Sequence, residues 1–299
     1  MRRFLVIIFS LFSTSLFAQK HLRSGHIKIE DGFIEIEKLI VLILTKFWSA
    51  QLKIFYITTL MVMAILSISC SSAEKGNFIS IELSDGTEFR AYSSGPEDAK
   101  SGVLIVHDWF GISEFTKESV ERLGSLGYNV IAVDLYRGIS ATTHKEAGKL
   151  MGGLDREEID DILQSGLNYL KRPGRKLVTI GFSMGGLESL NANLNDPESV
   201  NGTVIIYGGD FDKINSERLE KLGSPVFTIT GSEDSWSLPS STNFLDIMIQ
   251  EGKSSELYVY PGARHAYAQP LYNEGKNYDE EATRITWLLV EDFLKRVLP

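Results

Sequence analysis

Short apolar runs recur along this chain at intervals of about 25 to 45 residues, separated by amphipathic stretches. They are Gly102–Val106, Asn129–Val133, Lys176–Ile180, Gly202–Tyr207, Val226–Thr230 and Leu257–Tyr260. Each is too short for a buried helix, and the central ones, such as Gly102–Val106 and Asn129–Val133, are continuously apolar, as expected of strands buried on both faces. The intervening segments carry helical spacing. In Asp155–Lys171, Ile159, Ile162, Leu163, Leu167 and Leu170 fall on one face, with Asp155 at the N-cap and Glu158 at the capping-box position. Helices are also expected over Phe115–Leu126, Ile214–Leu222, Ser240–Gln250 and Glu280–Val297, with a shorter one inside Ile139–Gly153. Strands that alternate with helices give a mostly parallel sheet covered by helices on both faces. Phe78–Leu83 and Thr87–Tyr92, joined through Asp85-Gly86, read as a hairpin that precedes this pattern.

The pattern occupies residues 74–299 as one domain, and residues 1–73 do not share it. Arg2 and Arg3 precede an apolar core from Phe4 to Phe17, with Ala18-Gln19 as a cleavage point, which is the layout of a secretory signal. A second signal-like segment runs from Lys53 through Ile54–Ile68 to Ser69-Cys70-Ser71-Ser72 and resembles a bacterial lipoprotein signal with Cys70 as the lipidated residue. Two signals in series suggest that the start lies near Leu52-Lys53 and that residues 1–51 are an overextended start. A pair of membrane helices is the rival, but Leu39–Phe47 is short for a span. The expected location is the cell envelope, on the periplasmic or surface side, with membrane attachment through the lipid or signal anchor.

The strand that opens at Lys176 runs into Gly181-Phe-Ser-Met-Gly185, a G-x-S-x-G turn followed by a helical segment. Such a turn presents a serine at a strand end, and the glycines on either side let strand and helix pass closely. The plainer reading of Ser183 is a helix N-cap. A serine hydroxyl needs a positioned base to become a nucleophile. Of the five histidines only His265 follows Ser183, just past the last strand. The order in α/β hydrolases is Ser, acid, His. The acid is expected in Thr230-Gly-Ser-Glu-Asp-Ser-Trp236, where Asp234 is preferred over neighbouring Glu233 and over Asp210 on the preceding loop. The oxyanion donors expected are the N–H of Met184 and, from the loop His107-Asp-Trp-Phe-Gly111, that of Trp109. Trp109, Phe110, Trp236 and Tyr267 are candidate pocket-lining residues and Asp108 a candidate polar contact, while His107 is read as bracing its loop. The formal net charge of −9 and the lack of a basic stripe exclude a nucleic-acid partner. The single cysteine excludes an internal disulfide.

His107-Asp-Trp-Phe-Gly111, Val133-Asp-Leu-Tyr-Arg-Gly138, Gly181-Phe-Ser-Met-Gly-Gly186, Gly231-Ser-Glu-Asp234 and Tyr260-Pro-Gly-Ala-Arg-His265, in this order, resemble the dienelactone hydrolase family of α/β hydrolases. The resemblance implies a three-layer α/β/α fold and a hydrolase that uses no metal or other cofactor. It implies a nucleophile–acid–His triad acting on a small ester or lactone. Three departures stand out. The family's founding enzymes use cysteine where this chain has Ser183. They carry glutamate where it has Asp108. An arginine that holds the substrate carboxylate after the histidine is here Gln269, and Arg137 lies near the position of the second such arginine. A serine esterase on general carboxylic esters is therefore expected. A lipid-anchored binding protein on the same fold, and an acyltransferase or peptidase on the same triad, are the alternatives.

Overall fold

The computed structural model describes residues 75–214 and 216–299. The export signals, the residue 1–51 start, Cys70 and the boundary at residue 73 all lie outside the described residues. Eight strands form one sheet in the order β1-β2-β4-β3-β5-β6-β7-β8. Strands β1 (Asn77–Glu82) and β2 (Glu88–Ser94) are the expected hairpin, and β2 pairs antiparallel with β4 (Asn129–Val133). From β4 onward every pairing is parallel, through β3 (Ser101–Val106), β5 (Lys176–Phe182), β6 (Val200–Ile206), β7 (Val226–Gly231) and β8 (Ser255–Tyr260). The fold is that of an α/β hydrolase, as the sequence predicts.

The central strands are apolar throughout because both faces are covered. Val103, Ile105, Val178, Ile180, Val204 and Ile206 pack with α1 (Glu114–Ser125) and α7 (Glu280–Val297), whose Val120, Leu123, Val290, Phe293 and Leu294 complete that core. Alternate residues Leu104, Val106, Ile131 and Val133 face α3 (Arg156–Leu170), through Ile159, Ile162, Leu163 and Leu167. On the same side Ile205 and Val226 meet Leu190 of α4 (Met184–Asn195) and Phe244 and Met248 of α6 (Ser237–Gln250). The remaining helices, α2 (His144–Met151) and α5 (Ser216–Glu220), are short. Each buried aliphatic side chain contributes roughly 1.5–3 kcal/mol, whereas an exposed ion pair contributes about 0–1 kcal/mol. The fold is thus held by these two cores, not by its surface salt bridges.

Chain direction reverses its lateral travel at β3: β4 lies on one side of it and β5 on the other. This is a topological switch point, and in open parallel sheets the crevice beyond the strand C-termini at such a point takes the ligand. Val106 at the end of β3 pairs with Gly181 at the end of β5. The β3 loop and the G-x-S-x-G turn are neighbours for that reason.

Candidate active site

Ser183 occupies the residue between β5 and α4 with φ 51° and ψ −116°. A non-glycine residue in this region carries strain of order 1–3 kcal/mol, which the surrounding structure must outweigh. The glycines explain how the turn closes. A Cβ on Gly181 would lie 1.9 Å from the Gly185 carbonyl oxygen, and one on Gly185 would lie 2.4 Å from those of Val106 and His107. Neither spacing admits a side chain. Two backbone bonds fix the turn: the Ser183 N–H donates to Ile206 O at 2.9 Å, and the Gly186 N–H donates to Ser183 O at 2.9 Å. Ser183 sits at the N-cap position of α4, yet its side chain makes no cap hydrogen bond. Its Oγ lies 3.0 Å from His265 Nε2.

His265 follows β8 on a loop pressed against the β7 loop. A Cβ on Gly231 would meet Ala263 O at 2.1 Å, and the Glu233 N–H donates to that oxygen at 2.9 Å. This contact brings Asp234 to the imidazole, with Nδ1 2.7 Å from Asp234 Oδ2. The other carboxylate oxygen accepts from the N–H groups of Trp236 and Ser237, at 3.1 and 2.8 Å, at the start of α6. Asp234 is 1% exposed. A carboxylate held this way can orient Nδ1–H and favour an imidazolium that forms transiently. The rivals take no part in this contact: Glu233 pairs with Arg264 and Asp210 with Lys213, each at 3.0 Å.

The three side chains open on a cavity of about 720 Å³ whose wall includes Trp109 and Met184. Among the described residues no hydrogen-bond acceptor engages the Trp109 N–H. Trp236 stands edge-on to His265 at 5.0 Å between ring centres, and Tyr272 does the same at 5.3 Å. Tyr272, which no local pattern marks in the sequence, also packs near Trp109 and His144. Behind the triad, Tyr207 is wholly buried with φ 41°, its ring 5.7 Å from His265, and its hydroxyl has no partner among the described residues.

Other residues expected at the pocket lie elsewhere. Phe110 is buried with Ala141 and Ala147 instead of facing the cavity. Tyr267 is buried too, its hydroxyl 2.6 Å from Thr286 Oγ1. Arg137 is exposed and bidentate to Glu158, so it does not line the cavity. Asp108 is a buried brace. Its Oδ1 accepts from the Phe110 N–H at 2.8 Å and its Oδ2 from the Gln269 amide at 2.6 Å. Burial pushes its carboxyl up to about 6 despite these two donors. His107 braces the loop as expected. Its Nε2 accepts from the Leu135 N–H at 3.1 Å, which leaves Nδ1–H to donate to Asp108 O at 2.5 Å, and burial lowers its proton affinity.

A parallel sheet with a histidine-paired serine at its switch point defines the class as α/β hydrolase. The sequence matches the profile of the Dienelactone hydrolase family over residues 89–298. The chain belongs to that family and is a hydrolase. A relative from Saccharolobus solfataricus is 26% identical over 255 residues, covering 72% of this chain and 96% of its own. Carboxymethylenebutenolidase 1 of Cupriavidus pinatubonensis is 23% identical over 224 residues, covering 68% and 93% respectively. The crystal structure of a dienelactone hydrolase-like promiscuous phosphotriesterase from metagenomic libraries superposes with a TM-score of 0.65 at 20% identity, over 75% of this chain and all of that one.

Proposed function

We propose that the chain is a serine hydrolase of carboxylic esters or lactones, acting through Ser183, His265 and Asp234. The observation that carries this reading is the unbroken pair of contacts, 3.0 Å from Ser183 Oγ to His265 Nε2 and 2.7 Å from His265 Nδ1 to Asp234 Oδ2. Nε2 removes the Oγ proton as Oγ bonds to the ester carbonyl carbon. The carbonyl oxygen becomes an oxyanion held by the N–H groups of Met184 and Trp109. Collapse of that intermediate breaks the carbon–oxygen bond to the alcohol, which takes the proton from Nε2. Water then repeats the cycle on the acyl-enzyme and frees the acid and Ser183. Asp234 orients the imidazole throughout. The cysteine-to-serine change fits this scheme. Serine needs an adjacent base at every step, and the base is in contact.

Ser183→Ala is expected to lower kcat for a short p-nitrophenyl ester about a thousandfold or more. Turnover close to wild type would overturn the assignment. The family membership and the intact contacts favour hydrolysis over a binding protein. A fluorophosphonate probe should therefore label Ser183. We include in the proposal an exported, lipid-anchored chain tethered through Cys70, on the strength of the N-terminal sequence.

A further inference from the structure

The two ends of the cavity differ chemically, and His265 tells them apart. The leaving alcohol must collect its proton from His265 Nε2, so it departs on the His265 side, where Trp236, Tyr272 and Asn277 line the wall. The acyl group stays on Ser183, and the cavity offers it an aliphatic lining. That lining, the acyl wall, consists of Met184 and Leu187 on the first turn of α4, Leu154 just before α3, Ile159 near the start of α3, and Met151 at the end of α2. Met184, Leu154 and Ile159 belong to one apolar cluster. None of these five side chains carries a charge.

The cations that do line the cavity are already paired. Lys213 is 3.0 Å from Asp210, and Arg264 is 3.0 Å from Glu233. Four carboxylates at the wall, Glu188, Asp210, Glu233 and Asp234, stand against those two cations. Arg156 reaches Glu188 at 2.7 Å but is shared with Asp160. The two positions where a substrate carboxylate is met by arginine under the family resemblance are also closed. Arg137 points outward to Glu158, and Gln269 is buried against Asp108. A second carboxylate on the acyl group would therefore be desolvated on an apolar wall with no free cation to meet it.

Building on the serine-hydrolase reading above, we infer that the substrates are uncharged esters with an aliphatic acyl chain seated on Met184, Leu187, Leu154, Ile159 and Met151. Acyl groups ending in a carboxylate are excluded. Such a preference for neutral acyl groups differs from that for an anionic lactone.

The test compares p-nitrophenyl hexanoate with mono-p-nitrophenyl adipate, which has the same chain length and a terminal carboxylate. Wild-type kcat/KM should favour the hexanoate about a hundredfold. Equal rates, or a faster adipate, overturn the inference. Leu187→Lys places a cation on the wall and should narrow the ratio at least about tenfold, through a slower hexanoate and a faster adipate. Met151 is 43% exposed, so Met151→Lys provides the same readout on a position that tolerates the change in folding. A ratio unchanged in both variants removes the wall from the acyl site and overturns the inference. Stoichiometric labelling by a fluorophosphonate is run alongside. Labelling with the wrong ester preference refutes the specificity alone, whereas no labelling and no hydrolysis of either ester refutes the serine-hydrolase reading.

Discussion

Asp108 shows how burial and hydrogen bonding compete at one residue. Two donors, Phe110 N–H and the Gln269 amide, favour its charged form, yet desolvation outweighs both and raises the carboxyl to about 6 from an ordinary 3.8. The folded chain then keeps the proton between about pH 4 and 6 where the unfolded chain loses it. Stability from this group is present at low pH and falls as pH rises through that window. Between pH 4.5 and 7 the loss is about 2 kcal/mol. Urea unfolding at the two pH values should show a difference between them that changes by that amount in Asp108→Asn. An unchanged difference would mean the carboxyl titrates normally. Ser183 is the second instructive residue. From sequence it is preferred as a nucleophile, with a helix cap as the plainer alternative. Its Oγ makes no cap bond and lies 3.0 Å from His265 Nε2, so the cap reading does not hold, and the backbone has φ 51°. Phe110 and Tyr267 went the other way. Aromatic type and proximity to a motif suggest a pocket wall, but nothing local says which side of its loop a ring will take, and both turned into the core.

Among the elements, α3 follows its sequence pattern most closely. The expected Asp155 cap is present, with Oδ1 accepting from the N–H groups of Glu157 and Glu158 at 3.0 and 3.1 Å. Asp155→Ala should cost about 1 kcal/mol, read as a lower urea midpoint with an unchanged slope. The capping box expected with it does not form, because the Glu158 carboxylate pairs with Arg137, twenty-one residues away. That contact depends on tertiary placement, to which an i, i+3 rule is blind. The start of α6 shifts for a local reason. Ser240 is the expected start, just after Pro239, but the helix begins at Ser237. Pro239 then falls in the first turn, where its missing N–H has no helical acceptor to lose. Strand β6 ends at Ile206 and not at Tyr207, since Tyr207 takes a positive φ that leaves the β region.

At the scale of the molecule, every residue of the candidate triad, both proposed oxyanion donors and the apolar wall lie between Trp109 and His265, inside the region matched by the family profile. The tether proposed at Cys70 is therefore expected to be separable from the chemistry. In cells fed a labelled fatty acid, the full chain should incorporate label and partition with membranes. Cys70→Ala should do neither, while its ester hydrolysis per fluorophosphonate-reactive site stays at the wild-type level. Label retained in Cys70→Ala would remove Cys70 as the attachment point.

The alternation of apolar runs with amphipathic segments was enough to determine a parallel sheet with helices on both faces. Such periodicity reflects burial, which is a local property of each run. The G-x-S-x-G turn singled out Ser183, and chain order with position just past a strand end singled out His265 and preferred Asp234, because the C-terminal ends of parallel strands share one edge. What only the tertiary structure decided is which side chains meet across that edge. Gly231 against Ala263 sets Asp234 rather than Glu233 on the imidazole, and the β3–β5 pairing sets Trp109 beside the elbow. Arg137, Lys213 and Arg264 each found a carboxylate partner. The pairings of Arg137 with Glu158 and Arg264 with Glu233 depend on loop packing between residues distant in the chain, whereas that of Lys213 with Asp210 is local, and together they leave the proposed acyl wall without a free positive charge.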